Sequence, residues 1–381
     1  MEISPGVAAT LADAVYGVRE QGNVRRAVAR QIGSPEVLED VFDVSGAAVA
    51  GMSGGRLLGA KSGFGMVLRG RGPLEGHMAV VTRGTETQQD WLSNANVAYD
   101  TGPGGFPVHA GFSRLYASMK DDINASMRGK DPSHIHIVGH SLGGAVANLF
   151  AAQFKLENRG DVHLYTFGAP RPGHGAFSRF MTSELDATHH RRVYCGADPV
   201  PMVPTWPFMH APIDMPGLRS PHGGSLMSIE AHRIPSYRNA LYGYTWREMQ
   251  AAQGETSFND TFEYWIGKAQ SPSFGMMSSG LIWALGRALR ALFRALSVGL
   301  VLIGIPTLTA IDRLAGLMFG AAQRSSETEQ NLMQVVAGFG RFLGYAAIDG
   351  INLSAALLSH IFTSVYQVLA RLARGALNAP A

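Results

Sequence analysis

The sequence has little cysteine and little charge. Cys195 is the only cysteine among 381 residues, so neither a disulfide within the chain nor a cysteine-based metal cluster can form. Charged residues make up 16% and apolar residues 46%, which excludes a disordered chain because apolar surface is ample and self-repulsion is small. The 46 glycines follow no three-residue repeat, so a collagen-like protein is excluded as well.

Several functional signals are also missing. The first residues hold no basic segment followed by an apolar run, so no secretory signal peptide is predicted; Ser4 and Pro5 instead fit the start of a helix. There is no metalloprotease-like histidine spacing, no phosphate-binding loop and no basic patch interleaved with aromatic residues. We interpret residues 189–192, His-His-Arg-Arg, as a solvated charged patch rather than a ligand pair. We therefore expect no cofactor, no catalytic metal and no nucleic-acid partner.

Up to about residue 268, short apolar runs alternate with helical patterns, which is typical of a mainly parallel sheet covered by helices. The patterns predict strands at 78–82, 135–138, 162–167 and 192–195, with helices at 112–127 and 142–154. Between Asp198 and Ser228 the chain is rich in proline, glycine, methionine and histidine, which predicts a long surface loop of functional importance. We expect one α/β domain over residues 1–270.

Residues 271–381 form a chemically different, apolar tail. From residue 275 onward there are eight arginines, no lysine and four acidic residues. Arg287, Arg290 and Arg294 recur at helical spacing and predict a cationic stripe on an otherwise apolar helix. Two uncharged segments, 295–311 and 350–370, approach the roughly 20 residues of a membrane-spanning helix. The tail is therefore either a buried helical cap, a helix at a membrane surface or an inserted segment.

One motif predicts a catalytic nucleophile. Residues 139–143, Gly-His-Ser-Leu-Gly, fit the G-x-S-x-G turn that exposes a serine between a strand and a helix. Residues 51–55 match the same pattern, so the pattern alone does not decide. Ser141 follows a β-branched strand and opens an amphipathic helix, as the turn requires. Ser53 lies in a glycine- and alanine-rich stretch that predicts an ordinary turn, so we assign the nucleophile to Ser141.

A serine nucleophile needs a base, and the base needs an orienting carboxylate. After such a turn the acid precedes the histidine along the chain. Asp198 follows a predicted strand and so lies at the sheet edge where these sites form, with Asp214 as the second candidate. His210, His222 and His232 all lie downstream. His232 is favoured over His222 because it stands directly before a helical pattern that fixes its backbone.

Acyl transfer also needs hydrogen-bond donors for the oxyanion. The backbone N–H of Leu142, directly after the nucleophile, is expected to be one of them. The second is expected in the loop Arg83-Gly84-Thr85, which follows a predicted strand, and the Thr85 hydroxyl is placed to add a further donor.

Taken in order, these motifs resemble the class 3 lipase family of α/β-hydrolases over residues 60–245. The resemblance rests on Val81-Thr82-Arg83-Gly84-Thr85, Asp90-Trp91, His109-Ala110-Gly111-Phe112, Gly139-His140-Ser141-Leu142-Gly143-Gly144, Phe167-Gly168-Ala169-Pro170-Arg171-Pro172-Gly173, Asp198-Pro199-Val200-Pro201, and His232 with Tyr237. It implies an α/β-hydrolase fold, with the C-terminal apolar helical region outside the family core. It also implies Ser141, Asp198 and His232 as a catalytic triad, with Thr85 and Leu142 at the oxyanion hole and no catalytic metal.

The resemblance implies a serine esterase that hydrolyses acyl esters of lipids, as a phospholipase or a triacylglycerol lipase. The arginine stripe favours phospholipids, because a helix with one cationic and one apolar face binds anionic membrane surfaces. A lipid substrate and a membrane surface are then the expected partners. The alternative function is a membrane-inserting toxin module that carries a lipase-like domain.

A lipase with no signal peptide and a membrane-active tail also resembles antibacterial lipase effectors of bacteria. That comparison implies a chain that is cytoplasmic in the producing cell, leaves it by a signal-less secretion system and associates with membranes. It further implies an immunity or chaperone protein as a partner. The comparison is based only on the shared architecture, a lipase domain with a membrane-active tail.

Overall fold

The structure is a computed structural model that describes residues 1–20, 24–33, 36–53, 60–84, 99–205, 208–213, 217–253, 261–295, 307–345 and 352–378. Its strands are β1 Phe42–Ser53, β2 Ala60–Gly70, β3 His77–Thr82, β4 Tyr99–Thr101, β5 Pro107–His109, β6 His134–His140, β7 Asp161–Phe167, β8 Gly173–His174, β9 His190–Tyr194, β10 Phe208–Met209 and β11 Leu218–Arg219. Its helices are α1 Pro5–Ala14, α2 Val24–Ile32, α3 Glu36–Glu39, α4 Ala110–Met127, α5 Leu142–Leu156, α6 Gly175–Glu184, α7 Ile234–Leu241, α8 Trp246–Ala251, α9 Phe262–Ala269, α10 Ser279–Ala295, α11 Thr307–Ala322, α12 Ser326–Leu343 and α13 Ala355–Asn378.

A seven-stranded sheet in the order β1-β2-β3-β6-β7-β9-β11 forms the centre of the fold. β1, β2 and β3 pair antiparallel, whereas the pairs from β3 to β11 are parallel. The carboxyl ends of β3, β6, β7 and β9 therefore meet at one edge, where open α/β sheets build their sites. A smaller antiparallel sheet has the order β10-β8-β5-β4.

Each face of the central sheet is covered by helices, because neighbouring residues of a strand point to opposite faces. Val80 and Ile137 belong to a hydrophobic cluster with α4, α5 and the C-terminal helices. Val81 and Val138 belong to a second cluster with α1, α7 and α8. Strands buried on both faces explain the continuous apolar runs in the sequence. The three layers confirm the predicted α/β class.

The predicted strands and helices of the α/β part occur in the structure with small shifts at their ends. The first helix begins as predicted, with Pro5 at its first turn and the Ser4 hydroxyl accepting from the Val7 N–H at 3.3 Å. Ser53 differs from its prediction: it is the last residue of β1 rather than part of a turn, because its stretch pairs with β2 up to Ala60.

The span from Asp198 to Ser228 is not the predicted surface loop over its first part. Asp198, Val200, Val203 and Phe208 are buried, and chain reversals here contribute β10 and β11. Prolines and glycines shape the path, but the apolar residues between them pack into the core. Only from about residue 221 does the chain become mostly exposed.

The C-terminal helices pack on the α/β part and share its core. Leu285 of α10, Val335 of α12 and Leu358 of α13 lie in the same hydrophobic cluster as Trp265 of α9. α13 also contacts the short helical turns at 200–202 and 230–232. The arrangement corresponds to the buried cap among the three expectations for the tail. The boundary near residue 270, between domains 1–270 and 271–381, stays a prediction.

The arginine stripe does not face a membrane as expected. The Arg287 guanidinium lies 4.9 Å from the ring centre of Trp265, and Arg290 donates to the carbonyl oxygen of Ile213 at 3.2 Å. The expectation is wrong for these two residues because the cationic side of α10 turns toward the α/β part; only Arg294 is exposed. Among the helices that the structure describes, none combines the length and apolarity needed to cross a membrane.

Candidate active site

Ser141 lies on a strained turn between β6 and α5. Its φ is 58° and its ψ is −136°, a region that residues other than glycine rarely adopt. The Ser141 N–H donates to the Phe167 carbonyl at 3.0 Å, which ties the turn to β7. Such strain persists only where the surroundings hold it, and it is concentrated at functional sites. The turn lifts the Ser141 side chain to the carboxyl edge of the sheet.

Two glycines make this turn possible through close approach of the backbone. A Cβ at Gly139 would lie 2.5 Å from the carbonyl oxygen of Gly143, and a Cβ at Gly144 would lie 2.5 Å from the Cβ of Ala169. Both distances are far inside van der Waals contact. The strand and the helix can therefore pass each other only because these positions lack side chains.

His232 and Asp198 complete a hydrogen-bonded series with the serine. The Nε2 of His232 is 2.8 Å from the Ser141 Oγ, and its Nδ1 is 2.9 Å from the Oδ2 of Asp198. The carboxylate fixes the proton on Nδ1, so Nε2 is left as the acceptor that faces the serine hydroxyl. The structure thus brings together the three residues that the sequence proposed, from segments far apart in the chain.

Asp198 is fully buried and is held by donors on several sides. Its Oδ1 accepts from the Val200 N–H at 2.9 Å, and its Oδ2 accepts from the Tyr237 hydroxyl at 2.7 Å. Burial, with the neighbouring Asp198 charge, raises the pKa of Tyr237 well above its usual range, so the phenol stays a donor. Gly168 has φ of 55°, and a Cβ there would lie 2.6 Å from Asp198 Oδ2.

A second series of hydrogen bonds holds the backbone of His232 in place. His140 donates from Nε2 to the His232 carbonyl at 2.7 Å, and its Nδ1 accepts from the Tyr16 hydroxyl at 2.7 Å. The Gly84 N–H in turn donates to the Tyr16 oxygen at 3.2 Å. Burial, together with the nearby His232, holds the pKa of His140 well below its usual range, so this ring is neutral. These bonds connect the loop after β3 to the backbone of the histidine.

Of the two predicted oxyanion donors, the structure describes Leu142 but not Thr85. Leu142 is the first residue of α5, so its N–H is one of the first-turn donors that have no partner within the helix. Arg83 anchors the other loop, since its Nη1 donates to the Gly84 carbonyl at 2.9 Å. Thr85 lies outside the described residues. The helix end adds a positive partial charge next to Ser141, which favours a developing anion.

The three residues of the triad are almost fully buried. Ser141 is 2% exposed, His232 3% and Asp198 0%. Near His232, the turn at 230–232 is contacted by α13, and Gly375 of that helix lies against Ile229. Water-poor surroundings strengthen hydrogen bonds and charges within the site.

The alternative candidates are hydrogen-bonded to other groups or lie outside the described residues. His222 donates from Nε2 to the Ala231 carbonyl at 3.0 Å and is hydrogen-bonded through Nδ1 to the Ser220 hydroxyl, so both its nitrogens are engaged away from Ser141. His210 donates to the Pro201 carbonyl at 2.7 Å. Asp214, the second candidate for the acid, lies outside the described residues.

Sequence reasoning gave no role to Tyr237, Tyr16 or Gly168. Tyr237 belonged to the resemblance as a landmark after His232, but nothing in the pattern related it to Asp198, 39 positions earlier. Tyr16 stands in the N-terminal turn, before the segment that resembles the family. The packing of α7 and of the N-terminal turn on the sheet brings the two tyrosines to the site.

A parallel sheet with a serine on a strained strand–helix turn, hydrogen-bonded to a histidine and a buried aspartate at its carboxyl edge, defines an α/β-hydrolase. Residues 79–208 match the model of the family described as Lipase (class 3). This segment of the chain therefore belongs to the class 3 lipase family.

Two of the curated relatives are fungal lipases. The chain is 32% identical over 156 residues to a secreted mono- and diacylglycerol lipase of Fusarium solani, a match that covers 39% of this chain and 46% of the relative. It is 31% identical over 153 residues to a lipase of Rhizomucor miehei, covering 37% and 42%. The chain thus spans less than half the length of these relatives.

Among solved structures, the triacylglyceride lipase of Rhizomucor miehei is similar over 57% of this chain and 78% of that one, with 22% identity and a TM-score of 0.41. A structure described as a fungal lipase is similar over 60% and 82%, with 19% identity and a TM-score of 0.43. None of the relatives named here supports the alternative function, a membrane-inserting toxin module.

Proposed function

We propose that the chain is a carboxylic ester hydrolase that acts on acyl esters of lipids through Ser141, His232 and Asp198. The observation that carries the proposal is the hydrogen-bonded series from Ser141 to Asp198 through His232, at 2.8 and 2.9 Å, on a strained turn. The family of residues 79–208 supports the same reaction class.

In this reaction, the Ser141 Oγ attacks the ester carbonyl while His232 Nε2 takes the hydroxyl proton. Asp198 holds the imidazole in place and stabilises the positive charge that forms on it. The N–H of Leu142 donates to the oxyanion, and we propose Thr85 as the second donor. His232 then gives the proton to the leaving alcohol, and water, activated by the same histidine, releases the fatty acid.

We propose acylglycerols as the substrate class. The names of the relatives support this, since they are mono- and diacylglycerol lipases and a triacylglyceride lipase. The arginine stripe favoured phospholipids, but Arg287 lies against Trp265 and Arg290 donates to the Ile213 carbonyl, so these two arginines are engaged with the protein. The bacterial effector comparison, its immunity or chaperone partner and its route of export stay predictions.

The test compares hydrolysis by the unmodified chain, Ser141→Ala and Ser53→Ala. Substrates are a soluble short-chain ester, dispersed diacylglycerol and vesicles of anionic phospholipid. We expect Ser141→Ala to lose activity on every ester by several orders of magnitude, because the nucleophile is gone. Ser53→Ala is the matched control, since it stands in the same five-residue pattern without the turn, and should keep full activity.

Retained activity in Ser141→Ala, or its loss in Ser53→Ala, would contradict the proposed nucleophile. Release of fatty acid from phospholipid but not from diacylglycerol would contradict the proposed substrate class while leaving the triad intact. The soluble ester separates the two cases, because it reports the chemistry without the lipid surface.

A further inference from the structure

The amino-terminal edge of the central sheet carries a cluster of histidines that the proposed reaction does not use. His134 begins β6, Asp161 begins β7, and His163 follows two residues later on the same face of β7. The parallel register places His134 directly opposite Asp161. His189 lies just before β9, and its ring centre is 4.6 Å from that of His163. Strand alternation and register thus gather these side chains at one place.

Three ligand-type atoms of this cluster face one another at nearly equal distances. The His134 Nδ1 lies 3.1 Å from the Asp161 Oδ2 and 3.2 Å from the His163 Nε2. The His163 Nε2 lies 3.1 Å from the same carboxylate oxygen. In a tetrahedral zinc site, bonds of roughly 2.0–2.1 Å place the ligand atoms about 3.3–3.4 Å apart. The triangle therefore fits three corners of such a site.

Hydrogen bonds alone leave the two histidine nitrogens of this triangle in an unfavourable contact. Each imidazole can donate an N–H to the shared Asp161 oxygen, but the two protonated nitrogens would then face each other at 3.2 Å. A cation above the triangle accepts an electron pair from all three atoms at once. Two histidines and a carboxylate are the ligand types that zinc and neighbouring transition metals prefer.

His189 lies next to the triangle and contacts the same carboxylate. Its Nε2 is 3.2 Å from the other oxygen of Asp161, and its Nδ1 is 2.8 Å from the Asp186 carboxylate. Metal-binding histidines commonly donate their second N–H to a carboxylate in this way, which orients the ring. The sequence-based interpretation of residues 189–192 as a solvated patch is therefore wrong in part: His189 joins this cluster, and His190 and Arg191 are buried.

The cluster is open to an ion from the solvent. The side chains of His134, His189 and Asp161 are 25%, 29% and 43% exposed, whereas that of His163 is 6% exposed and forms the floor. A metal could enter from outside without any rearrangement of the core, but it would displace the N-terminal ammonium, which lies 3.4 Å from the His134 Nδ1. We propose that His134, Asp161 and His163, with His189 beside them, form a binding site for a divalent transition-metal ion, with zinc as the cation that fits the ligand set.

Such an ion would stabilise the fold and take no part in ester hydrolysis. The site and Ser141 lie at opposite ends of β6, about 20 Å apart at roughly 3.3 Å per residue. A bound cation would join β6, β7 and the turn before β9. Because the ion binds the folded chain, it would raise the melting temperature in proportion to the logarithm of its concentration.

The experiment titrates metal-free full-length protein with ZnCl2 by calorimetry and with CoCl2 by visible absorption. We expect one ion per chain, a rise in melting temperature with zinc, and the intense visible bands of tetrahedral cobalt. Asp161→Asn and His134→Ala should each weaken zinc binding by at least about a hundredfold, because the loss of a supporting group alone costs roughly 10–100-fold. Asp186→Asn should weaken it by about tenfold or more.

His360→Ala is the matched control, since His360 is exposed on α13 and should leave binding unchanged. Equal binding by His134→Ala and the unmodified chain would show that zinc binds adventitiously at other histidines, and would overturn the proposal. Absence of a stoichiometric cobalt spectrum would overturn it as well. Hydrolysis of the soluble ester should persist after treatment with EDTA, and its loss would contradict the purely stabilising role.

Discussion

Asp198 depends on its neighbours more than any other residue of the site. It is fully buried, and an isolated buried carboxylate is costly unless donors and an opposite charge surround it. Val200, Tyr237 and His232 together provide those donors. Tyr237 also accepts from the Cys195 N–H at 2.9 Å, so it links the acid to the end of β9. We infer that Tyr237 is a positioning residue for the triad.

Tyr237→Phe tests this role. Removing the hydroxyl leaves one oxygen of Asp198 short of a donor, at a cost of about 1–3 kcal/mol, so the turnover number on a soluble ester should fall roughly tenfold with little change in KM. Tyr242→Phe is the control, because Tyr242 is 85% exposed and should behave like the unmodified chain. A change in melting temperature with unaltered turnover would assign Tyr237 a structural role only.

For individual residues, the sequence predicted those whose catalytic role follows from a local pattern and from their order along the chain. Ser141 could be identified because a strand–turn–helix pattern surrounds it, and Asp198 and His232 because of where they follow it. Tyr237, Tyr16 and the cluster around Asp161 could not be found in this way. Their contacts depend on strand register and on how α1 and α7 pack, and neither leaves a local pattern in the sequence.

Among the elements, the C-terminal helices differ most from expectation. An apolar face with arginines beside it is equally compatible with a lipid surface and with a protein core, since both bury apolar side chains. The contacts of α10 show that its apolar face lies in a protein core, because Leu285 is fully buried against Gly338 of α12 and Arg287 stacks on Trp265. The apolar segments of the tail thus complete the core of the α/β part.

Leu285→Ala tests that packing. The cavity left in a fully buried position should lower the free energy of unfolding by about 2–5 kcal/mol, seen as a lower melting temperature of the whole chain. Leu317→Ala on α11 is the matched control, since that leucine is 44% exposed and its loss should change stability by about 0.5 kcal/mol or less. Equal effects of the two variants would contradict a buried cap.

Across the whole molecule, the two ends of the parallel strands have separate roles. The carboxyl edge holds the strained serine and its partners, and the amino edge holds the histidine cluster around Asp161. The C-terminal helices cover one face of the sheet and contact the turn that carries His232. The last helix thus lies beside the histidine of the proposed triad, which the sheet positions at its carboxyl edge.

The most direct test of the proposed triad is labelling with a fluorophosphonate, followed by mass spectrometric mapping of the modified residue. The probe reacts only with a serine whose base is in place, so we predict that Ser141 alone is labelled. His232→Ala should slow labelling by orders of magnitude, whereas His222→Ala should stay within about tenfold of the unmodified rate. Labelling at another serine, or normal labelling of Ser141 in His232→Ala, would contradict the account.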